Sequence, residues 1–591
     1  AVVVIPALIY VVSYASTAHL VQWIDLFHRG ESIGPASDYL RGKVPYRGVF
    51  ALHGMLEDGL LDTWLMELFG RSVEVAIART VVVGALLSVS LWYLGLAIFE
   101  SIPLALLTVA MAAWTTAENN RTFFQVAAVA LLWAAWRRRW PAAALLSGVF
   151  AAIALFFSYE IGLYTIAGAI VSLLLLPVVG ARVEWKTVIL FVIGLLVGGA
   201  PFVIYLVSRG ALAEFVNVSF VIIPRIIDAV WSLPFPDLVS TFRKNLNLHA
   251  LADFILFEKF HLILSPLTIA VAAVYLIVRA LRRRVDTLDC ALLVLTVFAA
   301  ITQRTAFGRA EFRHQYFSAF LIGPMLVLLA LFAARRLTET WAGSDSGTRA
   351  FVMTIVLLAI PALGVLFWIP DLINVRIDDL VNFQRRVLRV QFDPQAAEVS
   401  NRIQEVSRTI RERTRINDPI FDFSNQPAFY FFANRPNPTR FYQVPIASPP
   451  ALQAEVIAGL ERAKPNVIIR TSPEDFDESD GVPNAIRAQA VAAYIDDCYR
   501  YFRSVRGVQL WTRDRGARPA TIASYLSRIQ IPEKSAIVSS ERSWMVFPLI
   551  GSLPGANGAF WISDLTLHNP FRDPITISLR FIGPRSSVDR H

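Results

Sequence analysis

The chain has 591 residues, of which 55% are hydrophobic and only 17% are charged, and its net charge is +9. A soluble domain is typically about 45–50% apolar and about 25% charged, so a single soluble globule and a disordered chain are both excluded. Two cysteines are too few for a disulfide scaffold. The positive charge does not indicate nucleic acid, because in a membrane protein the positions of the charges matter more than their sum.

Apolar runs of about 20 residues, the length that crosses a bilayer, recur along the chain as far as Pro370. We predict eleven membrane spans from these runs. They lie near 3–22, 76–98, 102–117, 122–136, 141–158, 161–180, 187–208, 261–279, 288–302, 315–334 and 350–369. Because the chain begins at Ala1 inside an apolar run, we expect the native protein to extend beyond it.

Arginine and lysine residues cluster in four of the gaps between these spans. The four gaps lie at 137–139, 182–186, 279–284 and 335–349. If the chain crosses the membrane eleven times in succession, all four gaps lie on the same side. The positive-inside rule assigns that side to the cytoplasm. We therefore expect the N-terminus inside the cell and the tail after Asp371 outside it. The loops expected outside are 22–75, 118–121, 209–260 and 303–314.

The tail after Asp371 has the composition of an ordinary soluble protein. Helical periodicity runs over 378–412, and further helices are predicted at 449–463 and 484–501. Short apolar strands are predicted at 419–423, 466–470 and 507–513. Strands that alternate with helices predict a small α/β domain over 371–515, after the membrane domain at 1–370.

A different pattern follows the α/β domain. We predict a polar connector over residues 516–540 and short strands with turn residues over 541–591. The segment 573–583 alternates at period two, which predicts the first strands of a β-sandwich. About half of such a domain is present, so we expect the native chain to continue past His591.

The first predicted outer loop holds more ionisable side chains than any stretch of similar length in the membrane half. Asp25 and Glu31 follow the first span directly and so lie at the membrane's outer edge, where carboxylates are costly unless solvated, paired or functional. The same loop carries Asp38, His53 and Asp58. A solvated loop of helix caps and ion pairs explains this composition as well as an active site does.

Four stretches on the predicted outer side carry a resemblance to a known family. They are the segment from Asp25 to the turn GKVPYR (42–47), NNRTFF (119–124), FSYEIGLY (157–164) and FGRAEFRH (307–314). In this order they resemble the bacterial branch of the C-type (GT-C) membrane glycosyltransferases, over most of residues 1–515. Two departures stand out: Arg29 lies between the acids, and Glu311 replaces an aspartate. The segment 552–570 resembles a β-module of bacterial surface proteins.

The resemblance implies a polytopic α-helical, GT-C-like membrane protein of the bacterial inner (plasma) membrane, with its C-terminal domains on the outer side. It implies hexosyl or pentosyl transfer from a polyprenyl-phosphate-linked sugar to a lipid, glycan or protein acceptor of the cell envelope. The expected partners are therefore the lipid-linked sugar, the acceptor and the bilayer, and not nucleic acid.

Inverting sugar transfer needs a carboxylate that accepts the proton of the acceptor hydroxyl and cations beside the departing phosphate. The catalytic acids expected from the resemblance are Asp25 and Glu31. The donor phosphate is expected to contact Arg309, Arg313 and His314, since arginine presents a fork of donors to phosphate. Acceptor-binding or supporting roles are expected for Asp38, His53, Asp58, Arg121 and Glu160.

The sequence assigns no cofactor. His28 and His53 could ligate a divalent metal, but neither stands in a known metal-binding spacing such as H-E-x-x-H. The main alternative is a transporter or flippase of lipid-linked saccharides, which would need charges and broken helices deep within the spans. A surface protein anchored by its membrane half is a further alternative, although one span would be enough for an anchor.

Overall fold

The computed structural model describes residues 3–20, 24–113, 120–230, 233, 259–309, 312–341, 394–470, 478–479, 482–529, 552–554 and 560–562. Ten of the eleven predicted spans fall on helices, and the eleventh, 350–369, lies outside the described residues. The ten helices are Val4–Leu20, Val73–Phe99, Ile102–Ala113, Phe123–Arg138, Pro141–Phe157, Tyr159–Val178, Trp185–Ser208, Lys259–Leu281, Thr287–Thr302 and Phe312–Trp341.

Six helical segments in the described ranges are long and apolar enough to cross a membrane. They are Val73–Phe99, Tyr159–Val178, Trp185–Ser208, Ile263–Leu281, Thr287–Gly308 and Phe320–Leu337. Several of these helices expose large apolar side chains, such as Leu196 and Val274, which are 68% and 62% exposed. Water does not favour such a surface, whereas lipid does, so a multi-pass membrane protein is indicated. The count of eleven spans stays a prediction.

Close helix packing depends on small residues, as is usual in membrane bundles. The helices Pro141–Phe157 and Trp185–Ser208 meet at Gly148 and Gly194. A Cβ atom added at Gly148 would lie 2.1 Å from the carbonyl oxygen of Phe191, and one added at Gly194 would lie 2.0 Å from that of Leu145. The two backbones can therefore approach only because both positions lack a side chain.

Short helical elements connect the long helices. The loop between the first two long helices, residues 24–72, is called the first loop here. It holds the helix Gly30–Tyr39, the π-helical turn Leu56–Leu60 and the helix Leu61–Phe69. The other short elements are Asn120–Thr122, Leu212–Asn217, Val218–Ile222, Ile223–Val230 and Arg304–Gly308.

The tail contains a four-stranded mixed sheet. Its strands are β1 (Ile420–Asp422), β2 (Val467–Ile469), β5 (Tyr499–Val505) and β6 (Val508–Arg513), in the spatial order β1-β2-β6-β5. The strands β1 and β2 are parallel, and the other neighbours are antiparallel. A separate pair joins β3 (Glu478–Ser479) to β4 (Val482–Pro483).

Helices flank these strands in sequence. They are Pro394–Arg413, Ala428–Phe432, Pro450–Ala463, Asn484–Arg487, Gln489–Cys498 and Ile522–Leu526, together with the 3₁₀ turn Val444–Ala447. The last helix lies within the predicted connector, but its Tyr525 is fully buried, so this stretch packs onto the tail core. The predicted helix 378–412 is described from Pro394 onward.

The predicted helix at 484–501 is wrong at its end, because residues 499–505 form the strand β5. The sequence YRYFRSV is rich in aromatic residues, which favour strands. Val505 pairs with Val508 across a two-residue loop, in which Arg506 and Gly507 both have positive φ. This is the geometry of a type I′ hairpin turn. The turn and the cross-strand pairing together override the helical pattern.

The C-terminal stretch is described only in two short strands, β7 (Ser552–Pro554) and β8 (Phe560–Ile562), which pair antiparallel. The predicted strand at 573–583 lies outside the described residues. The β-sandwich therefore stays a prediction.

The first loop and the tail share one hydrophobic core. Leu26, Tyr46 and Phe50 of the loop lie in the same buried cluster as Phe429 and Tyr442 of the tail. Backbone contacts reinforce this packing, since the Phe50 amide donates to the Arg440 carbonyl at 2.7 Å. Residues nearly 400 positions apart therefore fold against each other, and the tail covers the loop that carries the predicted site.

Membrane topology can be tested with single cysteines, because the native Cys290 and Cys498 are both buried. Lys464→Cys introduces a cysteine at an exposed position of the tail, and Arg283→Cys introduces one in an arginine-rich gap between spans. We expect an impermeant maleimide to label position 464 in intact cells and position 283 only after permeabilisation. Labelling of 283 from outside, or of 464 only after permeabilisation, would contradict the predicted orientation.

Asp422, at the end of β1, gives the tail a pH-dependent stability. Burial raises the pKa of Asp422 to about 6, although its oxygens accept hydrogen bonds from the Ser424 amide and hydroxyl and from the Gln426 amide. A raised folded-state pKa contributes stability below the unfolded value of about 4, and this stability is lost as the pH rises to about 6. The full effect is roughly 3 kcal/mol.

We therefore expect the stability difference between the parent and Asp422→Asn to change between pH 4 and pH 7. The parent should lose roughly 3 kcal/mol relative to the variant over this range. Denaturant unfolding of the full chain at both pH values measures this difference. Glu398→Gln, at an exposed carboxylate, is the matched control and should show no such change. A difference that stays constant or changes in the opposite direction would contradict the assignment.

Candidate functional site

Asp25 is paired with His28 at the start of the first loop. One carboxylate oxygen, Oδ1, accepts the backbone amides of Phe27 and His28 at 2.8 and 3.1 Å. The other, Oδ2, lies 2.5 Å from His28 Nδ1. Burial alone would raise the pKa of Asp25, but the hydrogen bonds and the His28 ring outweigh burial and lower it. Asp25 is therefore held as a carboxylate.

Glu31 lies on the helix Gly30–Tyr39, one turn beyond this pair, and the side-chain amide of Gln443 donates to its carboxylate. The helix packs tightly on the tail at Gly30, where an added Cβ would lie 2.5 Å from the Ala428 nitrogen. The second predicted catalytic acid is thus half-buried between the loop and the tail, with a tail residue setting its orientation.

Asp38, at the other end of the same helix, is fully buried and contacts the tail directly. Its Oδ2 accepts the Tyr442 hydroxyl at 2.5 Å and the Asn437 amide at 3.1 Å, and it lies 2.9 Å from Lys43 Nζ. A carboxylate enclosed in this way anchors the tail on the loop. These contacts favour a supporting role for Asp38 over direct contact with a sugar.

His53 and Asp58 form a second histidine–carboxylate pair. His53 Nδ1 lies 2.8 Å from Asp58 Oδ1, and the His53 amide donates to Asp58 Oδ2 at 2.8 Å. Gly59 allows the turn that brings them together, because its φ is +99° and an added Cβ would lie 2.3 Å from the Ser32 carbonyl oxygen. This turn packs against the helix Gly30–Tyr39, so the two halves of the first loop are in contact.

Arg79 is the main site residue that the sequence analysis missed. Its guanidinium is buried and bonds Asp62 at 2.6 Å and Glu57 at 2.8 Å. The Nε of Arg121, a predicted supporting residue, lies 4.0 Å from the other Glu57 oxygen, Oε1. Burial would raise the pKa of Glu57, but Arg79, Arg121 and His53 outweigh it and lower the pKa. An arginine inside a predicted span was the sequence signal for this cluster.

Glu160 connects the first loop to the segment that carries the predicted phosphate ligands. The backbone amide of Tyr159 donates to the His53 carbonyl at 2.7 Å. The Glu160 carboxylate in turn accepts the hydroxyls of Tyr164 at 2.8 Å and Thr305 at 3.2 Å. Thr305 belongs to the helix Arg304–Gly308, so Glu160 fixes that helix beside the first loop.

The predicted phosphate ligands follow this short helix. Arg309 caps it, with an extended backbone that bridges to Leu233, and its side chain is half-buried. His314 is half-buried on the helix Phe312–Trp341, with its ring edge-on to Phe317 at 5.8 Å between centroids. Arg313 lies on the same helix, and its side chain is outside the described part.

We call these groups, which lie near the ends of the apolar helices, the polar layer. Arg29 donates to the Thr80 hydroxyl at 2.8 Å, so the residue after His28 contacts the residue after Arg79 on the helix Val73–Phe99. Further contacts join Arg79 to Glu57, and the His53 carbonyl to the amide of Tyr159, which precedes Glu160. The layer therefore offers proton-accepting groups and cations together. Within the described ranges, no group of three or more histidine, cysteine or acidic side chains is arranged to hold a metal ion.

Comparisons with known proteins identify a similar solved structure. No family model and no curated protein matches the chain. The chain is similar to the crystal structure of ArnT from Cupriavidus metallidurans bound to undecaprenyl phosphate. The two share 13% sequence identity with a TM-score of 0.46, over 88% of this chain and 98% of the ArnT chain.

Proposed function

We propose that the protein is a membrane glycosyltransferase that moves a sugar from a polyprenyl-phosphate donor to an envelope acceptor on the outer face, with inversion. The observation that carries this proposal is the polar layer of the first loop, held at the ends of apolar helices and covered by the tail. A lipid-linked sugar must present its phosphate at that depth, where the isoprenoid chain lies in the bilayer and the sugar lies outside it.

The chemistry of the layer fits the two demands of the reaction. The segment 25–31 supplies carboxylates and a histidine that can accept the proton of an incoming hydroxyl. Arg309, Arg313 and His314 supply cations where a departing phosphate would carry its charge. Glu160 joins the two regions through Thr305. The acceptor would then be bound between the first loop and the tail.

A transporter of lipid-linked saccharides is favoured less by the described residues. Charged side chains of the described spans lie within seven residues of a helix end, and Arg79 is the seventh residue of the helix Val73–Phe99. Its charge is balanced by Asp62 and Glu57. A polar layer confined to one end suits a reaction at one face better than passage through the bilayer.

The donor assignment is tested by replacing Arg309 with lysine, which keeps the charge but removes the two-pronged geometry for phosphate. We expect Arg309→Lys to raise the donor KM or lower the rate by about 10–100-fold. The measurement is consumption of polyprenyl-phosphate-linked radiolabelled hexoses and pentoses by the full chain in nanodiscs.

Arg225→Lys is the matched control, because Arg225 is exposed on the helix Ile223–Val230 in another predicted outer loop. It should behave like the parent. If Arg309→Lys and Arg309→Ala also turn over like the parent, the donor phosphate is bound elsewhere.

A further inference from the structure

We propose that the side-chain oxygen of Gln125 binds a hydroxyl group of the sugar on the lipid-linked donor. The proposal rests on the proposed function and deepens it, because it adds a residue that recognises the sugar to those expected to hold the phosphate. Gln125 lies four residues after Arg121 of the polar layer, which is about one helical turn.

Gln125 connects two helices near their predicted outer ends. It is the third residue of the helix Phe123–Arg138 and is fully buried. Its Nε2 donates to the Thr302 hydroxyl at 3.0 Å, and Thr302 is the last residue of the helix Thr287–Thr302. The short helix Arg304–Gly308 begins two residues later. Gln125 therefore contacts the chain just before the segment that is expected to bind the donor.

The bond to Thr302 fixes the orientation of the Gln125 amide. The Thr302 hydroxyl donates its proton to the Phe298 carbonyl at 2.8 Å, so it can only accept a hydrogen bond from Gln125. The amide nitrogen must therefore face Thr302, and the amide oxygen, Oε1, must point away from it.

This orientation makes Oε1 of Gln125 a buried acceptor. It is enclosed by the protein, and among the described residues no group donates a hydrogen bond to it. Arg121, one turn away, has its Nε 4.0 Å from a Glu57 oxygen instead. A buried acceptor without a donor costs free energy, and near the lipid little water is at hand to supply one. A ligand that brings a hydrogen-bond donor would remove this cost when it binds.

The chemistry of the lipid-linked donor decides which of its parts can pair with Oε1. An amide oxygen only accepts hydrogen bonds. The isoprenoid chain has no N–H or O–H group, and the ionised phosphate diester offers only acceptor oxygens. The sugar hydroxyls are therefore the groups that can donate to Gln125. Polyprenyl phosphate, which remains after transfer, has lost these hydroxyls, so Gln125 should favour the sugar-loaded lipid over the spent one.

The test uses the full chain in nanodiscs, with polyprenyl-phosphate-linked radiolabelled hexoses and pentoses as donors and membranes of the cells that make the protein as acceptor. Gln125→Leu keeps a similar volume and removes the amide. We expect it to lower kcat/KM for the donor by about 10–100-fold. The inhibition constant of added polyprenyl phosphate should change by less than about threefold.

Ser172→Ala is the matched control for Gln125→Leu. Ser172 Oγ is also buried, and among the described residues it has no hydrogen-bond partner, but it lies in the second half of the helix Tyr159–Val178. This variant should keep the parent values for the donor and for polyprenyl phosphate. The unfolding temperature of both variants is measured in parallel.

Donors that lack one hydroxyl at a time test the contact without a change to the protein. The parent should consume one of these monodeoxy donors about 10–100-fold less efficiently than the full donor. Gln125→Leu should consume that monodeoxy donor and the full donor about equally well, because the lost hydroxyl and the lost amide belong to the same contact.

Four results would overturn the inference. If Gln125→Leu uses the full donor as well as the parent does, Oε1 is paired with an internal water, and the proposed function stands. If the variant binds donor and polyprenyl phosphate equally less well, Gln125 shapes the phosphate site and not the sugar site. If the parent consumes every monodeoxy donor as well as the full one, no sugar hydroxyl is bound, whether or not the variant folds. If the parent consumes no donor at all, the proposed function fails, and the inference fails with it.

Discussion

Replacing Arg79 with methionine is expected to destabilise the protein by about 3–5 kcal/mol. The guanidinium is buried and bonds two acids, Asp62 and Glu57, which are themselves largely removed from water. Methionine fills a similar volume but leaves both carboxylates without a counter-charge. The cost is therefore that of uncompensated buried charge rather than of lost packing.

Thermal or denaturant unfolding of the purified protein in bicelles measures this effect. Arg47→Met is the matched control, because Arg47 is exposed in the same loop and, among the described residues, donates only to a carbonyl oxygen, that of Arg209, at 3.2 Å. The control should change stability by less than about 0.5 kcal/mol. The double variant Arg79→Met/Asp62→Leu should recover part of the loss, because it removes one of the unpaired charges. An Arg79→Met protein as stable as the parent would show that the acids are solvated.

The spans could be predicted from the sequence because their signal is local. An apolar run of sufficient length becomes a helix in a membrane whatever its neighbours are, and ten of the predicted spans fall on helices of the described residues. The strands Ile420–Asp422 and Val467–Ile469 were predicted in the same way, from short apolar runs.

The partners of the site residues could not be predicted, because they are distant in sequence. Asp38 bonds Tyr442, 404 positions away, and Glu31 bonds Gln443, 412 positions away. Such contacts are set by the packing of the tail on the first loop, which leaves no periodic pattern. The Asp25–His28 and His53–Asp58 pairs are local in sequence, but the sequence analysis did not predict them, because their geometry depends on turns that the sequence does not specify.

Arg79 shows a different limit. Hydropathy averages over about 20 residues, so a single arginine in an apolar run does not change the assignment of the span. The averaged hydropathy also gives no information on whether the arginine forms ion pairs with acidic residues. Its partners lie 17 and 22 positions earlier, in the first loop. The sequence analysis selected acids of that loop for their place at the membrane edge, and not for the basic residues with which they pair.

Removing the acids of the segment 25–31 is expected to cause the largest loss of activity, about 10²–10⁴-fold in rate. Asp25→Asn keeps an oxygen for the two backbone amides, so the turn is preserved while the charge beside His28 is lost. Glu31→Gln keeps an oxygen that can accept the Gln443 amide, so the contact with the tail is preserved. Both variants therefore change the chemistry of the segment and leave its fold in place.

The assay is consumption of a polyprenyl-phosphate-linked sugar at saturating donor, with expression and unfolding temperature measured in parallel. Glu67→Gln is the matched control, since Glu67 is an exposed carboxylate on the helix Leu61–Phe69 of the same loop. We expect the control to keep the parent rate and at least one of the two variants to lose it. Near-normal turnover in both variants, with normal folding, would show that neither acid of the segment 25–31 is the proton acceptor, with His28, Glu57 and the His53–Asp58 pair as the next groups to replace.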